Sequence, residues 1–185
     1  MKSVSLTFIL TLLTSVSCGT AGQQTTAHSD STAPQTVTIM ELTNSGERKG
    51  VIMADKVVKT VEEWQEQLTD EQYHVTRQKG TERAYTGKYD GHFEEGTYLC
   101  TGCGNNLFES GTKYRSGCGW PAFYDVLPES VEETEDNTLG MNRIEITCSK
   151  CKSHLGHVFN DGPDPTGLRY CINSVSMDFK PDEKK

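Results

Sequence analysis

The chain has 185 residues, 24% of them charged and 34% hydrophobic, which reads as one water-soluble domain with extensions. Its net charge of −8, without a Lys/Arg cluster, argues against nucleic acid as a partner. Seven cysteines, at positions 18, 100, 103, 118, 148, 151 and 171, are many for a chain with no metal or redox task.

Met1-Lys2-Ser3 precedes an apolar run from Val4 to Val16. That run is shorter than the roughly 20 residues a bilayer span needs. Residues 1–21 therefore read as a bacterial-type secretory signal. Ser15-Val16-Ser17-Cys18 is similar to a lipoprotein box, cut after Ser17 so that Cys18 bears lipid, although Ser15 stands where Leu is usual. The other route is ordinary cleavage after Ser17 or Ala21. Both predict a secreted or periplasmic protein, the first one tethered to a membrane through Cys18. Residues 22–59, rich in Thr, Ser, Gln and Gly, read as a tether with little folded structure before Val51. The folded domain is expected over residues 60–181, with residues 182–185 a charged tail.

Thr60 and Glu63 form a capping-box pattern ahead of a helix whose Val61, Trp64 and Leu68 share a face. Thr69 to Tyr73 predicts a second short helix, and Val75-Thr76-Arg77 leads away from it. Gly80, Gly87, Gly91 and Gly96 mark loop, and Tyr98-Leu99 begins a strand. Then comes Cys100-Thr101-Gly102-Cys103-Gly104, and later, after the alternating stretch Met141 to Ile146, Cys148-Ser149-Lys150-Cys151. Two CxxC pairs predict a tetrahedral Zn²⁺ held by Cys100, Cys103, Cys148 and Cys151. Four thiolates leave no open position, so such a zinc is structural. Two local disulfides are the other reading, but so short a ring gains little loop entropy.

Between the pairs lies Arg115-Ser116-Gly117-Cys118-Gly119-Trp120-Pro121. Glycines on both sides suit a cysteine that swings towards a partner. Trp120 beside Pro121 is a rigid aromatic plate, either cradling a small apolar group or lidding the core. Glu129 to Asp136 holds five acids and reads as a solvated loop or helix face. His154 and His157 follow the second pair. Four cysteines already satisfy zinc, so an acid/base role is preferred for both histidines.

Leu168 to Phe179 contains no Pro or Gly and reads as one strand. Alternation puts Arg169, Cys171 and Asn173 on one face, and Tyr170 and Ile172 on the core face. A thiol between a guanidinium and an amide is a candidate nucleophile. A free Cys with pKa ~8.5 is only a few per cent thiolate at pH 7, and a two-unit depression would make it mostly thiolate, for about 2.7 kcal/mol. The other reading is a strand Cys packed as a small hydrophobe.

In this order, Cys100-x-x-Cys103, Gly117-Cys118-Gly119-Trp120-Pro121, Cys148-x-x-Cys151, His154-Leu155-Gly156-His157-Val158-Phe159 and Arg169-Tyr170-Cys171-Ile172-Asn173-Ser174 resemble the methionine sulfoxide reductase B family. The resemblance covers roughly Val61 to Phe179. It implies a mainly β fold: two antiparallel sheets with short N-terminal helices and a Cys₄ zinc site. It implies protein repair under oxidative stress, by reduction of the R epimer of methionine sulfoxide in oxidised Met-containing proteins. By position, Cys171 would be the nucleophile and Cys118 the resolving thiol. Trp120 would receive the sulfoxide methyl, and His154, His157, Arg169 and Asn173 would line the site. The four paired cysteines would hold structural zinc. A thioredoxin-like reductant would regenerate a chain expected to be monomeric. Two rivals remain at this level: a zinc-ribbon binding module, and a peroxidase or disulfide exchanger using Cys118 and Cys171.

Overall fold

A computed structural model describes residues 35–183. The signal segment, Cys18 with its lipid and cleavage routes, and the first part of the tether lie outside the described residues. No helix among those residues is long and apolar enough to cross a membrane.

The second half of the supposed tether is a β-hairpin, which corrects that reading. Strands β1 (Thr36–Leu42) and β2 (Arg48–Asp55) pair antiparallel, with Ile39 opposite Ile52. Threonines between the apolar residues of β1 disguise a strand as a polar linker. A lone two-stranded hairpin is marginal in water, and this one leans on the domain. Asn106 Nδ2 donates to the Met40 carbonyl at 3.0 Å, and the Arg48 guanidinium grips both oxygens of Glu109 at 2.9 and 2.8 Å. Met40 is buried.

Helices α1 (Val61–Gln67) and α2 (Asp70–Gln78) both begin with complete capping boxes, Thr60 with Glu63 and Thr69 with Gln72. Trp64 and Leu68 are buried, but Val61 is 55% exposed and does not share their face. α2 runs on to Gln78, past Tyr73, where the sequence suggested it ends. Burial of Val75 and Thr76 sustains it, and Arg77 stacks over Trp64 and donates to the Cys151 carbonyl at 2.9 Å.

The remaining strands are β3 (Gly96–Cys100), β4 (Asn106–Glu109), β5 (Lys113–Tyr114), β6 (Ala122–Phe123), β7 (Val131–Asp136), β8 (Arg143–Cys148), β9 (His154–Phe159), β10 (Arg169–Ile172) and β11 (Met177–Pro181). One antiparallel sheet has the order β5-β6-β10-β9-β8-β7, and a second β11-β3-β4. The mainly β, antiparallel architecture expected from the resemblance is thus present, with the hairpin as a third, two-stranded sheet. Tyr98, Phe108, Phe123, Leu155, Ile172 and Met177 are buried in one core cluster, with Phe108 stacked on Phe123 at 4.3 Å.

The strand predicted over 168–179 is two strands in different sheets. A 3-10 turn at Ser174–Ser176 separates β10 from β11. The buried Glu82 carboxylate takes the N–H groups of Ser174 at 2.6 Å and Val175 at 3.0 Å, so these amides serve no ladder. The acidic run, expected as a solvated loop or helix face, instead ends in edge strand β7, which pairing with β8 holds extended and which is largely solvated until its last residue, Asp136, turns inward.

Candidate active site and four-cysteine centre

Cys171 lies in the middle of the six-stranded sheet, opposite His157 on β9 and Ala122 on β6. Tyr170 and Ile172, on the other face, are 5% and 0% exposed, so the alternation read from sequence holds within β10. The close approach of β9 needs Gly156, because a Cβ there would lie 2.0 Å from the Cys171 carbonyl oxygen.

Cys118 Sγ is 3.6 Å from Cys171 Sγ. The turn that carries it has Gly117 and Gly119 at φ 75° and 92°, left-handed backbone that a side chain resists. Tyr85 fastens the turn, its Oη donating to the Gly117 carbonyl and its N–H to the Gly119 carbonyl, both at 2.7 Å. A disulfide needs about 2.05 Å between sulfurs, so the pair must close by roughly 1.5 Å. The two thiols act as a unit that gives up one proton and holds the other. The Cys118 thiol is pulled down to about 5, chiefly by the hydrogen bond from Cys171 and also by Ser116. The same bond and burial push the Cys171 thiol up. The Arg169 charge favours thiolate at both sulfurs.

A cleft of about 140 Å³ opens beside Cys171, lined also by Thr81, Trp120, Arg143, Gly156, His157, Phe159 and Asn173. Trp120 is therefore a cleft wall and stands outside the core cluster. Its Nε1 donates to the Glu82 carbonyl at 3.2 Å. Asn173 is buried: its Oδ1 accepts the Glu82 N–H at 3.1 Å and its Nδ2 donates to the Leu155 carbonyl at 3.0 Å. Glu82 thus holds Trp120 and Asn173 through its backbone and the 3-10 turn through its carboxylate. Burial raises the carboxyl's pKa, against the hydrogen bonds from Ser174 and Val175.

The two histidines differ. His157 reaches the cleft, and its Nε2 is 2.8 Å from Asp136 Oδ2, which Arg143 also holds at 2.6 Å. Hydrogen bonds from Thr138, His157 and Arg143 keep the Asp136 carboxyl far below the usual carboxylate range. His154 lies behind the cleft, buried, with Nδ1 2.8 Å from Glu145 and Lys79 on the other Glu145 oxygen at 2.6 Å. The rings are 5.5 Å apart. Residues three apart in an ideal strand point to opposite faces. Here the β8–β9 register shifts, Ile146 pairing with Gly156 but Thr147 with His154, so one extra residue on β9 puts both rings on one face. Arg169 stacks over Phe159 at 4.3 Å and forks onto Asp161 at 2.8 and 2.9 Å. It lines a second cleft, next to Cys118.

Sequence reasoning missed the acids that hold these groups: Glu82, Asp136, Glu145 and Asp161. Asp161 sits in the turn eight residues before Arg169 and was open to inference. Asp136 differs from the other acids of its run by heading an Asx turn onto Thr138. Glu82 and Glu145 carry no local signal.

The four paired cysteines meet where the turns after β3 and β8 abut. Their sulfurs all lie within 4.8 Å of one another, with Cys100–Cys151 and Cys103–Cys148 at 3.6 Å. All four are free thiols, and these two close contacts join different pairs, unlike local disulfides. Tetrahedral zinc with Zn–S of about 2.3 Å puts sulfurs roughly 3.8 Å apart. The set fits such an ion in spacing, burial and softness.

Comparison with known proteins agrees with this geometry. The SelR domain family matches residues 68–181. The chain is 58% identical over 134 residues to a protein of Methanosarcina barkeri named peptide methionine sulfoxide reductase MsrB, covering 71% of this chain and 94% of that one. A protein of the same name from Chromohalobacter salexigens is 59% identical over 133 residues, 71% of this chain and all of that one. Another, from Acinetobacter baylyi, is 55% identical over 130 residues, 70% of this chain and 94% of that one. With its SelR domain and this identity across nearly the whole of these relatives, the chain belongs to the methionine sulfoxide reductase B family.

Proposed function

We propose that this chain, an oxidoreductase of peptide methionine sulfoxide, acts on the R epimer through Cys171, with Cys118 as resolving thiol. The observation that carries the reading is the 3.6 Å Cys118–Cys171 contact at the foot of a cleft walled by Trp120 and His157.

The sulfoxide methyl rests on Trp120, with its sulfur facing Cys171. Moving the shared proton to Cys118 leaves Cys171 as thiolate, which attacks the sulfoxide sulfur. His157, turned by Asp136 on Nε2, gives a proton from Nδ1 to the sulfoxide oxygen, which would otherwise leave as oxide. Such general acid catalysis typically contributes 10²–10⁴-fold. The net step moves oxygen from the sulfoxide to Cys171, giving methionine and Cys171 sulfenic acid. Cys118 displaces that oxygen as water and forms the Cys118–Cys171 disulfide. A thioredoxin-like dithiol returns both thiols by exchange. Asn173 shapes the cleft by holding the Glu82 loop to β9, and Arg169 favours the thiolates. His154 steadies His157 from behind.

Cys100, Cys103, Cys148 and Cys151 would hold zinc, which ties the two hairpin ends together as folding free energy. The leader read in residues 1–21 makes secretion part of the same proposal.

The test is one turnover by the reduced full chain on the separated sulfoxide epimers of a Met peptide. About one equivalent of product from the R epimer, with two thiols lost, is expected. No product from either epimer would hand the chain to the binding-module reading. Cys171→Ser must abolish the burst, and Cys118→Ser must keep the burst but stop turnover with the dithiol protein.

A further inference from the structure

The two sulfurs open onto different clefts. Cys171 lines the 140 Å³ cleft beside Trp120. Cys118 lines a separate cleft of about 550 Å³, bounded by Tyr114, Arg115, Gly117, Asp161, Pro163 and Arg169. The first is sized for a side chain, and the second is wide enough for a protein loop.

The rim of the wide cleft has the composition of a docking surface. Arg115 stacks over the 40% exposed Phe93 at 4.4 Å. Tyr85, 70% exposed, is anchored to Gly117. Aromatic residues and Arg are the types that concentrate binding energy at protein interfaces. Inside, the Tyr114 hydroxyl is buried yet has no hydrogen-bond partner among the described residues. Burial raises its pKa, so it remains an O–H donor.

We propose that the wide cleft, with Phe93, Tyr85 and Arg115 at its rim, is the docking site of a dithiol protein reductant, which enters at Cys118 and expels Cys171. The proposal rests on the reductase reading and names the face its recycling step uses. The reductant's thiolate attacks Cys118 Sγ. A bond forms from that sulfur to Cys118 while the Cys118–Cys171 bond breaks, and the electron pair leaves on Cys171, beside Arg169. The reductant's second thiol then attacks its own half of the mixed disulfide and releases Cys118. The enzyme disulfide gains two electrons and the reductant is oxidised to its disulfide. The Tyr114 hydroxyl is placed to donate to sulfur in this cleft. Access decides which sulfur is attacked, since the side that exposes Cys171 is narrowed by Trp120 and does not admit a protein loop.

The test uses the oxidised full chain with a thioredoxin-type CxxC protein whose second cysteine is changed to serine, and maps the trapped mixed disulfide by mass spectrometry. Attachment at Cys118 is expected, and attachment at Cys171 would overturn the proposal. Arg115→Glu and, separately, Phe93→Ala are then assayed with the intact CxxC protein and with dithiothreitol. The KM for the protein reductant should rise about tenfold or more, with dithiothreitol recycling and the thermal melt unchanged. An unchanged KM in both variants would overturn the docking face. The reductant-free methionine burst is measured alongside. Its absence from the wild type would sink the reductase reading itself, whereas a normal burst with unaltered KM would sink only this surface.

Discussion

Cys171 and His157 are direct partners across the β9–β10 ladder, and Asp136 reaches in from the end of β7 to hold His157 Nε2 at 2.8 Å. Backbone register thus fixes the proposed nucleophile against the proposed proton donor, and one carboxylate sets the histidine's angle. His157→Asn should slow the single-turnover burst by about 10²–10⁴-fold. Asp136→Asn should cost up to about 10²-fold by misaiming the ring. The double variant should be hardly slower than His157→Asn alone, because both changes act through one group. Full additivity in stopped-flow bursts would show that Asp136 acts elsewhere.

Gly156 permits that register. In Gly156→Ala the new Cβ meets the Cys171 carbonyl at 2.0 Å, backbone against methyl, so the strands must part. A loss of about 1–3 kcal/mol or more is expected, seen as a melting point lower by several degrees, together with a weakened burst. Gly111→Ala, with nothing within 4 Å, is the control.

Stability should fall as pH drops through the ordinary histidine range. Burial lowers the pKa of His154, against the pull of Glu145. The unfolded chain therefore takes up a proton at a pH where the folded one does not. Stability is complete above the unfolded value, about 6.5, and declines from there down to the lowered folded value. One group gives a slope of at most about 1.4 kcal/mol per pH unit. Burial works against ionisation of Glu145, but Lys79 and His154 bring its pKa below normal, so its own contribution is lost only at more acid pH. Urea melts between pH 7 and 5 should show the slope in the wild type and a flatter line in His154→Gln. Equal slopes would assign the effect to other groups.

Glu82 joins the cleft wall to the Cys171 strand. Glu82→Gln keeps the volume but offers one acceptor to two N–H groups, leaving one buried donor unpaired at about 1–3 kcal/mol. Trp120 fluorescence should shift as the wall loosens, and KM for the sulfoxide peptide should rise more than kcat falls. An unchanged spectrum and KM would reduce Glu82 to a structural role.

Removing metal should unfold the domain. Three buried thiols and the half-buried Cys103 crowd within 4.8 Å of one another, a set that a cation would hold together. A strong chelator, or Cys103→Ser with one ligand fewer, should abolish the cooperative melt together with one equivalent of bound zinc. A melt unaltered after complete zinc loss would refute a structural metal.

Much of this site was legible in the sequence, because its chemistry is concentrated in short patterns. Two CxxC pairs, a cysteine between glycines beside Trp120, and the alternation of Arg169, Tyr170, Cys171 and Ile172 each constrain local geometry. The Thr60–Glu63 capping box and the burial of Tyr170 and Ile172 follow from the same local rules. Local rules also misled: threonines hid strand β1, and an unbroken β-rich run from 168 to 179 gave no sign of the turn that Glu82 imposes from 92 positions upstream. What only the tertiary structure decided is which groups face one another. One added residue on β9 brings His154 and His157 to the same face, and burial then divides them, one to the cleft and one behind it. Asp136 sets the ring of His157 and Glu145 that of His154 from neighbouring strands, and two separate clefts divide the sulfurs. Side-chain alternation and capping depend on neighbours in the chain, whereas register, burial and charge pairing depend on neighbours in space.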